Sequence, residues 1–365
     1  MKILGIYLKV LICGYKTILG EIKIKKDYYY SDELKNGFYP LEEEYPFLKD
    51  YCLPDLKELI CYTSALNPYD LTQEILEKLS NIKISTAHIQ KVTNSTGKSL
   101  IEKEEYLINN PAEYSENKRN IDKIVISMDG AMINTYDDWK EVKTGVIYEL
   151  QNSKNGIESI NKSYVSKIED HISFRKRLKN EARRRQYLDA KELIVIGDGA
   201  RWIWDLAENE FPSSIKILDW YHAKEHLHKI VDLLYHNNIK KIKEIDEILS
   251  ELLYNGDINC LIKIVNDNKI ESNIIDRLDD LVSLQTEIEY FSKNRDKMQY
   301  KYFEEKGYPI GSGIIEAACK QVVQLRLKRN GMRWKKDNAH NVLKIRTMYL
   351  SSRWNEVVSV IRKVA

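Results

Sequence analysis

The sequence predicts an α/β fold in which a mixed sheet carries flanking helices. An all-helical insertion interrupts it, and a mainly helical N-terminal region precedes it. Three observations support this. Between 118 and 235, short apolar runs of strand length alternate with amphipathic runs of helix length. From 236 to 303, Ile and Leu fall at helical spacing on an acidic background with no strand signal. Residues 54–117 read as helical, with caps and turns at suitable points.

Taken in order, residues 1–50 are mixed and Tyr-rich, with strand-like runs such as Glu21–Lys25. Two short helices follow, Leu71–Leu79 and Ser85–Thr93, the second capped by Ser85 or Thr86. Their short connection has the length of a helix-turn-helix whose second helix enters a major groove. An ordinary helical hairpin has the same pattern. Lys123–Met128 is a strand expected to end at Asp129, Trp139–Leu150 a second and Ser163–Ile168 a third. A polar helix over Phe174–Leu188 precedes a buried strand, Glu192–Asp198. Then come a helix over Arg201–Glu210, a strand over Ser214–Asp219 and a helix over Tyr221–Tyr235. Pro309–Gly313 is a turn, and a helix carrying Glu316 begins near Ile314. The division is therefore 1–117 for the N-terminal region, 118–235 for the first part of the core, 236–303 for the insertion and 304–365 for the second part with basic helices.

Composition removes several classes. With 43% hydrophobic residues in 365, the chain is too apolar for disorder and long enough for two or three domains. Five scattered cysteines argue against a disulfide scaffold or a Cys-based zinc finger, and favour a reducing, cytoplasmic setting. No stretch is long and apolar enough to span a bilayer, so no membrane partner is expected. The net charge of +2 hides an asymmetry: residues 301–365 hold 14 basic and 5 acidic side chains, and 241–300 hold 8 and 13.

Asp129 and Asp198 share a setting, each following an apolar run and preceding Gly-Ala. An acid leaving a buried strand sits at the rim of the sheet, where open α/β sheets hold ligands. Neighbouring carboxylates there repel unless a cation lies between them. A plain Asp-Gly turn is the alternative. Asp219-Trp-Tyr-His222-Ala-Lys-Glu225-His226 is the densest polar cluster, and its last five residues also match the H-x-x-E-H pattern of inverted zinc peptidases. Glu316 leads a basic segment containing Lys320, Arg326, Lys328, Arg329, Arg333 and Trp334. The cations suit backbone phosphates and Trp334 suits base stacking; a helix-dipole acid ahead of a solvated basic face, with Trp334 in a core, would look the same.

Taken as ordered blocks, these motifs resemble DDE transposases of insertion sequences, most closely the Kra-type group, which shares a design with Mutator-like transposases. The blocks are Ser127–Met132 with Trp139–Lys143, Gly197–Trp204, Leu218–Leu227, Gly311–Lys320, Arg326–Trp334 and Ser352–Trp354. They cover roughly 120–235 and 305–355. The resemblance implies an RNase H-like catalytic core with Asp129, Asp198 and Glu316 as the catalytic, metal-binding triad. It implies two Mg²⁺ ions, with Mn²⁺ as a substitute, and double-stranded DNA as substrate, both element ends and target. It also implies a homo-oligomer on paired ends, in the nucleoid-associated cytoplasm. Asp219 and His222 match an auxiliary Asp-x-x-His signature, and the N-terminal Cys pairs common in such proteins have no counterpart near Tyr28–Ser31. A two-metal nuclease without strand transfer, an inactive or truncated DNA-binding derivative, and the zinc peptidase are the alternatives.

Overall fold

A computed structural model of the chain describes residues 2–3, 6–31, 35–111, 119–154, 156–236, 238–272, 274 and 277–363. The N-terminal region opens with a sheet, not with helices. Strands β1 (Lys2–Ile3), β2 (Ile6–Thr17), β3 (Gly20–Ser31) and β4 (Asn36–Phe38) form an antiparallel sheet in that order. The strand-like run Glu21–Lys25 lies inside β3. Gly20 closes the long β2–β3 hairpin at φ +113°, a conformation that L side chains rarely adopt. Helices α1 (Pro40–Glu44), α2 (Pro54–Leu66), α3 (Tyr69–Ser80) and α4 (Thr86–Asn109) follow.

The expected helix pair is present as α3 and α4, and Ser85 caps α4 by accepting from the His88 amide. The second helix, however, continues well past Thr93 to Asn109. Gly97 does not break it, because it lies where α4 crosses α14 (Lys336–Leu350, below). A Cβ there would come within 2.5 Å of the Asn341 carbonyl oxygen. Gly97→Ala therefore forces two helices apart and should cost about 2–3 kcal/mol, read as a lower urea midpoint with an unchanged slope. An unchanged midpoint would mean the crossing is loose.

The central sheet is built from β5 (Ile121–Asn134), β6 (Trp139–Ser153), β7 (Gly156–Lys167), β8 (Ala190–Gly197) and β9 (Ile215–Leu218), ordered β7-β6-β5-β8-β9. The first three strands are antiparallel neighbours; β8 and β9 run parallel to β5. The mixed α/β expectation holds at this level. Ile124 to Met128 are all buried, as a central strand covered on both faces requires. Helix α5 (His171–Arg184), capped by Asp170, starts and ends earlier than the expected Phe174–Leu188. The third strand is longer than Ser163–Ile168, because it forms a full hairpin with β6 through the Ser153–Gly156 pair. Helices α6 (Arg201–Glu210) and α7 (Trp220–Tyr235) complete this part.

Helices α8 (Ile239–Asn255), α9 (Ile258–Glu271), α10 (Leu278–Asn294) and α11 (Tyr300–Glu305) occupy the stretch expected to be helical, and their Leu249, Leu253, Leu261 and Phe291 join the core of the sheet. Then come α12 (Gly313–Ala318), a π-helical turn over Cys319–Gln324, α13 (Leu325–Leu327), α14 and α15 (Trp354–Lys363). Helix α14 lies between two cores. Its Val342 and Leu343 belong to the sheet core, while Ile345 and Met348 join α2, α3, α4 and α15 in a second one. Among the described residues no helix is long and apolar enough to cross a membrane.

Candidate active site at the edge of the central sheet

Parallel strands end together, so side chains that follow them collect at one edge. The parallel pairing of β5 with β8 stops at Ser127↔Ile196, and that of β8 with β9 at Gly197↔Leu218. Asp129, Asp198 and Asp219 come directly after those points. The sequence expectation that β5 itself ends at Asp129 is corrected here. The strand continues to Asn134, paired only with β6, and Asp129 faces Thr144 across that ribbon. Asp129 thus lies where the sheet has lost β8 and β9 and narrows to its three antiparallel strands.

Asp129 and Asp198 interact electrostatically. Burial pushes the Asp129 carboxyl above its ordinary range, and the Asp198 charge adds to the push. The Gly130 amide, 2.6 Å from Asp129 Oδ1, pulls the other way, with Cys319 and His222. Asp198 Oδ1 accepts from the Ala200 amide at 2.9 Å. Between them Gly199 takes φ +98°, and Tyr290 of α10 covers it, so a Cβ there would meet the Tyr290 hydroxyl at 2.7 Å. The same hydroxyl donates to the Asp198 carbonyl at 3.4 Å. An insertion helix therefore holds the loop that carries the second acid.

Asp219 is fully buried and fully used. Its Oδ1 caps α7 by accepting from the His222 amide at 2.7 Å, and its Oδ2 accepts from the Ser312 amide. The Trp220 amide donates to the Ile310 carbonyl at 2.9 Å. The auxiliary acid thus fastens the Gly311-Ser312 turn, from which α12 presents the exposed Glu316. Ser312 Oγ donates to Glu316 Oε1 at 3.2 Å. One turn further on, the Cys319 thiol lies 3.6 Å from Asp129 Oδ2. Burial pushes that thiol up to about 12, with the charges of Asp129 and Glu316 adding to it. Cys319 joins Glu316 and Asp129 in one neighbourhood. Its signal was the i, i+3 spacing from Glu316 on a helix, which places both on one face.

Among the described residues no group of three His, Cys, Asp or Glu side chains is gathered to hold a metal ion. The carboxylates meet as a pair, Asp129 with Asp198, and Glu316 approaches on a separate helix. All three donors are carboxylate oxygens, which suits a hard divalent cation, and the Asp129–Asp198 repulsion is of the kind such a cation relieves.

The rival zinc motif is used differently. His222 Nδ1 lies 3.5 Å from Glu225 on its own helix. His226 pairs through Nδ1 with Glu287 of α10 and stacks on Tyr290 with ring centroids 3.7 Å apart. That face of α7 braces the insertion against the Asp198 loop.

The basic segment divides. Lys320, Lys328, Arg329 and Arg333 are exposed and free to meet phosphates. Arg326 and Trp334 are corrections. Arg326 is 1% exposed and donates through Nε to the Ser64 carbonyl at 2.9 Å, so it cannot reach a DNA backbone at the surface. Trp334 is buried beneath that guanidinium, with Nε1 donating to the Leu327 carbonyl at 3.0 Å. Arg346, which the sequence did not single out, joins Arg326 in holding the end of α2. Its Nη1 donates to the Ala65 carbonyl at 2.7 Å, and its Nε to the Gln321 carbonyl at 2.6 Å inside the π-turn. Such turns often occur at functional sites.

The molecule is thus a mixed α/β protein with acidic side chains at one sheet edge and exposed cations on the adjoining π-turn and the loop after α13. It belongs to a family described as Uncharacterised protein family (UPF0236), whose model matches residues 13–363. No curated protein matches the chain.

Proposed function

We propose that this chain is a DDE-type DNA transposase with an RNase H-like core, cutting and joining phosphodiesters at the ends of a mobile element. The observation that carries the reading is the pairing of Asp129 with Asp198 at one sheet edge, with Asp129 raised partly by Asp198 and with Cys319, one turn beyond Glu316, reaching Asp129. Three antiparallel strands followed by two parallel ones also suit such a core.

Asp129 and Asp198, joined by Glu316, would hold two Mg²⁺ or Mn²⁺ ions. When bound, such ions activate the attacking hydroxyl and stabilise the leaving 3′-oxygen of an in-line displacement. The protein's own side chains do the rest. The Gly130 amide orients Asp129, and the Asp219–Ser312 contact fixes the start of the helix bearing Glu316. Tyr290 holds the Asp198 loop. Lys320, Lys328, Arg329 and Arg333 neutralise backbone phosphates and so position the duplex without reading its sequence. Two copies on paired ends, with target DNA, complete the working assembly.

The test uses purified full-length chain and a duplex ending in the element's terminal sequence. Nicking that requires Mg²⁺ or Mn²⁺ and stops with EDTA is expected, followed by joining of the new 3′-hydroxyl to a second DNA. Nicking without joining would point to a nuclease. No metal-dependent cleavage of any DNA would sink the reading.

A further inference from the structure

Among the blocks that the sequence sets beside the three acids, Trp139–Lys143 has no part in the chemistry described so far. It lies on β6, across from the stretch of β5 that carries Asp129. Asp129 pairs with Thr144, and Gly130 pairs with Lys143. Side chains alternate along a strand, so Lys143 lies on the face of the sheet opposite Asp129. There it is 6% exposed. Its Nζ meets the Glu141 carboxylate of its own strand at 2.7 Å. It also lies over the ring of Trp202, 4.3 Å from the centroid.

Each contact leads to one of the acids. The Glu141 carboxylate fills the space that a Cβ at position 130 would take. Gly130 is part of the extended strand β5, so the close approach of Glu141, and not a turn, calls for a glycine. The Gly130 amide is the donor to Asp129 Oδ1. Trp202 stands in the first turn of α6, just beyond Ala200, whose amide is the donor to Asp198 Oδ1. Lys143 therefore joins the strand that orients Asp129 to the helix start that orients Asp198.

A lysine so placed is costly. An apolar side chain of similar volume would fill the space with no charge to desolvate, and such exchanges are often neutral or stabilising. One partly exposed carboxylate and one aromatic face are its compensation. We infer that Lys143 is a positioning residue: through Glu141 on Gly130, and through Trp202 on α6, it sets the spacing of Asp129 and Asp198 for a hard divalent cation. That role rests on the metal-binding part of the reading above. Groups that orient metal ligands commonly matter by about ten- to a hundredfold in metal affinity. Mg²⁺ is the most demanding occupant, because it accepts little departure from octahedral geometry, whereas Ca²⁺ takes flexible sets of oxygens.

The sign of the effect separates positioning from charge. Lys143→Met removes a positive charge near the acids, and by Coulomb attraction alone a cation should then bind more tightly. Positioning predicts the opposite. Electron paramagnetic resonance counts free Mn²⁺ over the full chain without DNA, and Asp129→Asn marks the binding that belongs to the acid pair. Lys143→Met should weaken the Asp129-dependent Mn²⁺ binding about tenfold. In that variant Mg²⁺ should lose more of its power to displace Mn²⁺ than Ca²⁺ does, and the melting temperature should stay level or rise. Gly130→Ala keeps every charge and pushes the Glu141 carboxylate aside, so it should weaken binding in the same direction. Unchanged or tighter Mn²⁺ binding in either variant would overturn the inference, as would a native chain without Asp129-dependent binding. A native chain that binds Mn²⁺ through Asp129, weakened in both variants, yet cuts no DNA would leave the role of Lys143 standing and remove the transposase reading.

Discussion

Replacing Asp129 by Asn lowers metal-dependent DNA cleavage by about a thousandfold or more, on the scale of losing one preorganised electrostatic contact, and leaves duplex binding nearly unchanged. The change is nearly isosteric, so β5 and its pairing with Thr144 survive. It removes one negative charge from the pair that would hold the cations. The phosphate-facing cations Lys320, Lys328, Arg329 and Arg333 are untouched, so affinity and its salt dependence should persist. Stability supplies the control. Burial and Asp198 both raise the Asp129 carboxyl, so its ionised form is disfavoured in the folded chain. The neutral Asn removes that penalty, and the melting temperature should stay level or rise, as happens where a site is built at the expense of stability. Normal cleavage by the variant would remove Asp129 from the mechanism. Lost cleavage with a lower melting temperature would mean a structural role.

Asp129 and Asp198 could be read from sequence because each stands beside an apolar run that can only be a buried strand. The edge where they meet follows from parallel pairing, which the alternation of strands and helices already implies. The basic segment was legible only as a charge count. Arg326 and Arg346 bond Ser64 and Ala65, more than 250 positions away in the chain, and no local pattern reveals that. Much of the positive charge at the C-terminus is therefore structural: Lys344 pairs with Glu104 and Arg353 with Glu181. Asp219 shows the same limit. Its spacing from His222 marked it as part of a site, but its use as a double cap depends on Ser312, 93 residues on. The N-terminal hairpin was legible only in part, through the strand-like run Glu21–Lys25 inside β3. Its exposed apolar side chains, such as Ile12 and Leu19, do not alternate cleanly with buried ones.

Glu104→Gln should destabilise the folded chain by about 3–5 kcal/mol at neutral pH, the usual effect of removing one partner from a buried ion pair. Glu104 stands where α4 meets α5 and α14, bonded to Lys344 at 2.7 Å and to Arg177 at 2.6 Å. Burial alone would push its carboxyl up; Lys344 and Arg177 together hold it down at about 2, against an ordinary 4.5. A carboxyl lowered on folding contributes stability that is fully present above 4.5 and is lost as pH falls toward 2. That difference is worth about 3 kcal/mol. In the variant, Arg177 keeps Glu105 and Glu169, whereas Lys344 is left buried without its carboxylate. Urea melts at pH 7 and pH 3 separate the effects. The native chain should lose stability steeply across that window, and the variant should begin lower and lose less. Equal midpoints for the two at pH 7 would show that the ion pair merely breaks even against its desolvation. The junction of the two cores would then rest on apolar packing alone.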